Sequence, residues 1–220
     1  MPVVVSPYIS FPNLYWWLQV AGADRLLLDP TEHFQKMSYR NRYYISGSNG
    51  LIQLSIPLVN GRDQRAAMQN VNISYDENWQ VQHWRTLVSV YARTPYFLFY
   101  EPSLRKIFDT SFTKLSEFNL ASVRWLSEQL RVKVEMDIAD AYKANYSQED
   151  IDLRKSFKPG IEKTPITDLQ PYYQIFADRT GFLPNLSMLD LLFAEGPHSM
   201  QWLQKHKDLV LSWGERKDKI

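Results

Sequence analysis

The N-terminal stretch constrains the fold most. Val3, Val4 and Val5 form a short β-branched run that Ser6-Pro7 ends, the pattern of a strand buried on both faces. Pro12 suits the first turn of a helix. Leu14, Trp17, Leu18 and Ala21 follow at helical spacing, with Gly22 as the expected C-cap. Arg25-Leu26-Leu27-Leu28-Asp29 is then a second buried strand. A helix between two such strands returns the chain to the same end of the sheet, so the strands run parallel. The expected fold is α/β: a three-layer-like sheet of mainly parallel strands, with flanking helices and a β-hairpin.

The hairpin is expected where Tyr43-Tyr44-Ile45 and Leu51 to Ile56 flank Gly47-Ser48-Asn49-Gly50, an Asn-Gly turn. Val71 to Ser74 reads as a short strand. Asn78 suits the N-cap of a helix from Trp79 to about Arg93, which Pro95 stops. Pro102 is placed to open a short helix through Phe108. Thr110 or Ser111 would cap a longer one to Leu130. Lys133 to Met136 and Tyr172 to Phe176 read as strands, and Ser187 caps a helix from Met188 to about Glu195. Beyond Pro197, a final helix is expected from Ser199 to Lys205. The 220 residues fit one domain, 1–220, with an irregular excursion around 140–168.

Composition narrows the chemistry. With 25 basic and 24 acidic residues the net charge is +1. A general binder of phosphate backbones needs a basic excess or stripe, so nucleic acid is not an expected partner, although one local anion pocket stays open. Cysteine is absent, which removes disulfides, thiolate metal sites and a cysteine nucleophile. The histidines, His33, His83, His198 and His206, include no i, i+4 pair, so no metal site is expected. The glycines form neither a dinucleotide fingerprint, a phosphate loop nor a nucleophile elbow, and no motif names a cofactor. The N-terminus lacks the basic and apolar regions of a signal peptide. No apolar run approaches the roughly 18 residues of a membrane span. The expected location is the cytoplasm.

What remains is a polar cluster behind a strand. Asp29, Glu32, His33 and Lys36 leave the carboxyl end of the second strand, the edge where open α/β sheets bind ligands. Arg40 and Arg42 sit two apart around Asn41. In an extended stretch both guanidiniums share one face, which would grip a phosphate or carboxylate. The competing reading makes them solvated strand residues paired to Asp or Glu. His83 and Arg85 lie on the helix that begins near Trp79. Asp190 interrupts an apolar run and must face solvent, cap a backbone group or meet a cation.

Several blocks together resemble the WbqC-like protein family. They are His33 to Ile45 with Leu54-Ser55-Ile56-Pro57, then Asn78-Trp79 through His83-Trp84-Arg85 to Tyr91 and Thr94-Pro95-Tyr96-Phe97, and finally Gly181 to Phe193. Lys36, Asn41, Arg42, His83, Trp84 and Arg85 fall on family motif positions. Two stretches depart. Many members end their first strand in His-Gln-Pro where this chain has Val5-Ser6-Pro7, and many carry a later Ser-Gly motif that Lys143 to Gln170 lacks. The chain resembles a shorter branch. The resemblance implies a bacterial family with members in O-antigen clusters, where glycine or other acyl transfer to an amino sugar has been suggested.

The expected function is a transferase-like enzyme acting on an anionic, possibly nucleotide-linked sugar in surface-polysaccharide biosynthesis. In that reading Lys36, Arg40, Arg42, Arg85 and His33 bind the ligand and Asn41 orients it. His83 is the catalytic base, with His33 the other imidazole at hand. The alternative is a non-catalytic binding or scaffold protein. Convergence of Lys36, Asn41, Arg42 and His83 on one concave pocket would favour the enzyme; dispersal would favour the scaffold.

Overall fold

A computed structural model describes residues 3–61, 63–147, 149–157 and 169–207. The chain opens with β1 (Val3–Ser6), α1 (Leu14–Val20) and β2 (Arg25–Leu28), followed by the hairpin β3 (Arg42–Ile45) and β4 (Ile52–Ser55). Three helices come next: α2 (Trp79–Tyr91), α3 (Phe97–Asp109) and α4 (Leu115–Leu130). Then follow β5 (Glu135–Ile138), β6 (Ile151–Asp152), α5 (Ala177–Thr180) and α6 (Met188–Glu195). Four strands make one parallel sheet in the order β5-β2-β1-β6, and β3 and β4 pair as a separate antiparallel hairpin. The α/β reading holds: a mainly parallel sheet and a hairpin, flanked by helices. No helix among the described residues is long and apolar enough to cross a membrane.

Burial explains α1. The Asn13 side chain caps it, accepting from Trp16 N–H at 3.0 Å. Leu14 through Leu18 and Val20 are all buried, as a helix apolar all round must be. The sheet covers one side, where Trp16 Nε1 donates to Ser6 Oγ at 2.7 Å. The C-terminal block covers another: Leu14 N–H donates to the Leu186 carbonyl at 3.0 Å, and Tyr15 N–H to Asn185 Oδ1 at 2.8 Å.

Several local expectations shift. The strand expected at Lys133 to Met136 lies two residues later, where Glu135 to Ile138 pairs Arg25 to Leu28. Val71 to Ser74 makes only isolated bridges, through Asn72 and Ile73. Asn78 precedes α2, but its side chain makes no capping bond. Pro102 lies inside α3, not at its start. Both Pro102 and Leu98, whose carbonyl loses its partner, are exposed, so solvent can satisfy that carbonyl. Helix α4 begins after Lys114, whose N–H donates to the Glu117 carboxylate at 2.9 Å, rather than after Thr110 or Ser111. At the other end of α1 the cap is Ala21, with Gly22 just beyond. Residues 199–207 are helical after a short 3-10 turn over Gly196–His198. The irregular excursion contains a strand, because β6 pairs with β1 through Val4–Ile151 and Val5–Asp152; its residues 158–168 lie outside those described.

Tyr172 to Phe176 is not a strand. Side chains hold it instead. Asp190, fully buried on α6, accepts from Tyr91 Oη at 2.6 Å, Tyr172 Oη at 2.7 Å and Gln174 Nε2 at 3.1 Å. The carboxylate faces neither solvent nor a cation: neutral donors satisfy it. Burial still pushes its pKa up, opposed by those hydrogen bonds.

Candidate functional site

The sheet order reverses at β1. The chain runs from β1 to β2 on one side, while β6 lies on the other. Ligands of open α/β sheets bind outside the carboxyl ends of the strands near such a reversal. Two ion-paired assemblies are built there.

The first follows β2. Asp29 Oδ1 accepts from the N–H and hydroxyl of Thr31, at 3.0 and 2.6 Å, which turns the chain at the strand end. Asp29 Oδ2 accepts from Arg154 at 3.1 Å. Arg154, just past β6, also donates to Asp152 and to the carbonyls of Lys143 and Ala144. Tyr142 and Tyr146 lie against its guanidinium, at 5.4 and 4.9 Å. Every guanidinium nitrogen of Arg154 is engaged within the fold, so it joins β2, β6 and residues 142–146 into one wall.

The second assembly is Glu32 with Arg40. Arg40 Nε donates to Oε1 at 3.0 Å and a terminal nitrogen to Oε2 at 2.8 Å, a bidentate pair with Arg40 only 1% exposed. Burial pushes the Glu32 carboxyl above its ordinary range, with Arg40 opposing. A turn at Met37 (φ 56°), in which Ser38 Oγ donates to the Gln35 carbonyl at 2.6 Å, aims Arg40 inward.

Between these assemblies opens a cavity of about 370 Å³ lined by Glu32, His33, Gln35, Tyr142, Arg154 and Lys155. His33, Gln35 and Lys155 are exposed, so their polar ends face whatever enters. Its floor is made of ion-paired side chains and its rim carries an imidazole, an amide and an ammonium. That set can hold an anion and hydroxyl groups and can move a proton. Among the described residues no His, Asp and Glu cluster could hold a metal ion.

Of the polar cluster singled out behind β2, Glu32 and His33 line this cavity, and His33 is the one proposed ligand-binding residue among them. Lys36 is exposed and pairs with Asp63 at 2.8 Å. Arg40 is committed to Glu32. Asn41 is buried, and its Nδ2 donates to the Ile56 carbonyl at 3.0 Å, closing the hairpin base. Arg42 is half-buried on β3 and donates to Gln53 Oε1 at 3.3 Å. The extended clamp of Arg40 and Arg42 does not form, because Arg40 lies in a turn and only Arg42 is in the strand, so the two guanidiniums meet different partners. Arg85 is exposed on α2 and lines a different cavity with Ser48 and Ile52.

His83 is 4% exposed beneath the hairpin. Its Nε2 lies 3.2 Å from the Ser55 carbonyl and its Nδ1 3.2 Å from Tyr43 Oη. The carbonyl can only accept, so Nε2 carries the proton and Nδ1 accepts from tyrosine. Trp79 and Tyr43 meet the ring edge-on. The lone pair that a base would use is occupied and sealed from solvent. Burial lowers the His83 pKa from 6.5 to about 4, with the Ser55 carbonyl opposing. The unfolded chain therefore takes up this proton as pH falls through 6.5, whereas the folded chain resists until about 4. Stability contributed by neutral His83 is present above 6.5 and is lost between these values, by about 3 kcal/mol in all. Glu32 and Asp190, with raised values, act in the opposite direction, so the comparison is made within a variant pair. Urea denaturation from pH 7 to pH 4.5 is expected to show a shallower acid loss in His83→Gln than in the parent. Parallel pH profiles would mean that His83 titrates alike in the folded and unfolded chain and is not held neutral by burial.

Sequence reading missed Lys155 and Tyr142, the Glu32–Arg40 pair and the role of Arg154. Only half a signal existed for the last: Asp29 ends a strand that the sequence places and, once buried, needs a cation, but its partner Arg154 stands beyond β6, which has no sequence pattern.

The model of the WbqC-like protein family matches residues 7–160. That span contains β2, β5 and β6 of the parallel sheet, the hairpin, α1 to α4 and all the residues of the cavity, while β1 precedes it. No curated protein and no solved structure matches the chain.

Proposed function

The chain belongs to the WbqC-like protein family, and on that premise we propose that it is a transferase-like enzyme acting on an anionic sugar metabolite at the sheet-edge cavity. One observation carries the reading: an open cavity at the carboxyl ends of parallel strands, with His33, Gln35 and Lys155 exposed on its rim over a floor of satisfied ion pairs. Lys155 takes the negative charge and Gln35 the hydroxyls. In acyl transfer, an amine nitrogen of the sugar forms a bond to the carbonyl carbon of an activated acyl donor. The leaving group departs with the bonding pair, and the amine proton passes to His33. Arg154 has no free donor and acts as a positioning residue. The suggested role of the family points to surface-polysaccharide assembly as the setting, with a nucleotide-linked sugar as the acceptor.

Thermal-shift titration against nucleotide sugars and sugar phosphates tests this. At saturation the midpoint is expected to rise by about 5 °C. Lys155→Ala should remove the rise. His33→Ala should keep it while losing transfer of a labelled acyl group. No rise with any of these ligands would overturn the proposal. A second reading, a binding protein without turnover, is favoured by the dispersal of Lys36, Asn41, Arg42 and His83, none of which lines the cavity, and by the sealing of His83 in the core; ligand-induced stabilisation with no acyl transfer would select it.

A further inference from the structure

A second concave surface lies away from the sheet, along the outer side of α2. Two cavities meet there. Arg93 and Arg179 line the first, of about 530 Å³, and Arg85 lines the second, of about 310 Å³. Ser89, Val90 and Phe176 belong to both, so the two form one groove. All three arginines are exposed, and none has an ion-pair partner among the described residues. This contrasts with Arg40 and Arg154, whose guanidiniums are committed inside the fold. The chain as a whole carries a net charge of only +1, so three uncompensated guanidiniums around one groove concentrate positive charge locally. Asp178 is the one carboxylate in the lining.

We propose that this groove binds a phosphate monoester of a sugar that bears a planar ring, the chemistry of a nucleoside phosphate. Arg93 and Arg179 face one cavity and supply forked donors that match phosphate oxygens. Arg85 lies on α2 six residues before its end at Tyr91, roughly 9 Å along the helix axis, and Arg93 stands just beyond that end, which leaves room between them for a ring and a sugar. The floor in that interval is apolar, from Val90 and Phe176, and Tyr173, 54% exposed, stands in the wall. An exposed aromatic and a guanidinium plane suit a stacked base. Ser89 supplies a hydroxyl, and Asp178 an acceptor for sugar hydroxyls. An apolar floor with a few convergent polar groups is the usual form of a small-ligand site.

Isothermal titration of the full chain tests the groove with the four common nucleoside 5′-monophosphates, the parent nucleosides, inorganic phosphate and a single-stranded oligonucleotide. At least one monophosphate is expected to bind, with its nucleoside and inorganic phosphate each about tenfold weaker or worse. The Arg93→Gln/Arg179→Gln double variant should lose about tenfold or more while keeping its thermal midpoint. Lys155→Ala and His33→Ala should leave this affinity intact, which separates the groove from the sheet-edge cavity and lets either proposal fail alone. No binding of any monophosphate, or binding that the double variant does not weaken, overturns the proposal. Tighter binding of the oligonucleotide with a steep salt dependence would assign the groove to a nucleic-acid strand and overturn it equally.

Discussion

Replacing Arg40 with Met is expected to destabilise the protein by about 3–5 kcal/mol, the loss typical of breaking a buried pair by removing one partner. Glu32 would keep its burial and lose both of its donors. Charged, it would be an uncompensated ion in the core; protonated, it would be held neutral far above the ordinary carboxyl range. The double variant Arg40→Met/Glu32→Leu removes both charges and should recover most of the loss, because well-packed apolar residues often replace such a pair at no cost. Urea denaturation of the parent, both singles and the double completes the cycle. A single-variant loss below about 1 kcal/mol would show that the pair does not hold this wall, and a double as unstable as the Arg40 single would show that the loss does not come from a stranded Glu32 charge. The pair spans the segment that carries His33 and Gln35, so the destabilised single should also respond less to cavity ligands.

Arg154→Met is expected to cost a similar amount, about 3–5 kcal/mol, but in a different place. Strand β6 has two residues and, among the described residues, pairs only with β1. Its hold on the sheet is short, and Arg154 supplements it by joining Asp152 to Asp29 and to the 143–144 carbonyls. Without the guanidinium, Asp29 is left fully buried and lacking its cation. Amide exchange should therefore speed up first in residues 142–157, while α2, α4 and α6 keep their protection. Uniform loss of protection across the chain would sink the idea that Arg154 is a local fastener. Retention of the parent's protection in residues 142–157 would sink it as well.

These two residues mark the limit of what was legible in the sequence. The β1-α1-β2 unit could be read directly, because three local patterns agree over a short stretch and parallel pairing follows from them. The hairpin was legible for the same reason. Strand β6 was not, since two residues carry no periodicity and its pairing partner is far away in sequence. Arg40 and Arg42 look equivalent in the chain. What separates them is where β3 begins: Arg40 lies in the turn before it and Arg42 is its first residue, a boundary that the residue types do not announce. His83 was legible in principle: it stands four residues after Trp79 and four before Leu87, on the buried stripe of its own helix. Its appeal as a base outweighed that spacing. Asp190 was recognised as anomalous in an apolar run, but its partners come from α2 and from residues 172–174, and nothing local announces them.

The burial of α1 has a consequence for how the protein is made. Its residues are apolar on every side, and the last cover they receive comes from Asn185, Leu186 and the helix that follows. Translation delivers α1 early and that cover late. Through most of synthesis a Trp-rich helix can be shielded only by the nascent chain itself or by a chaperone. Closure of the N-terminal parallel unit thus waits on the C-terminal block. A ribosome stalled before residue 185 would leave exposed the part of the chain most prone to stick.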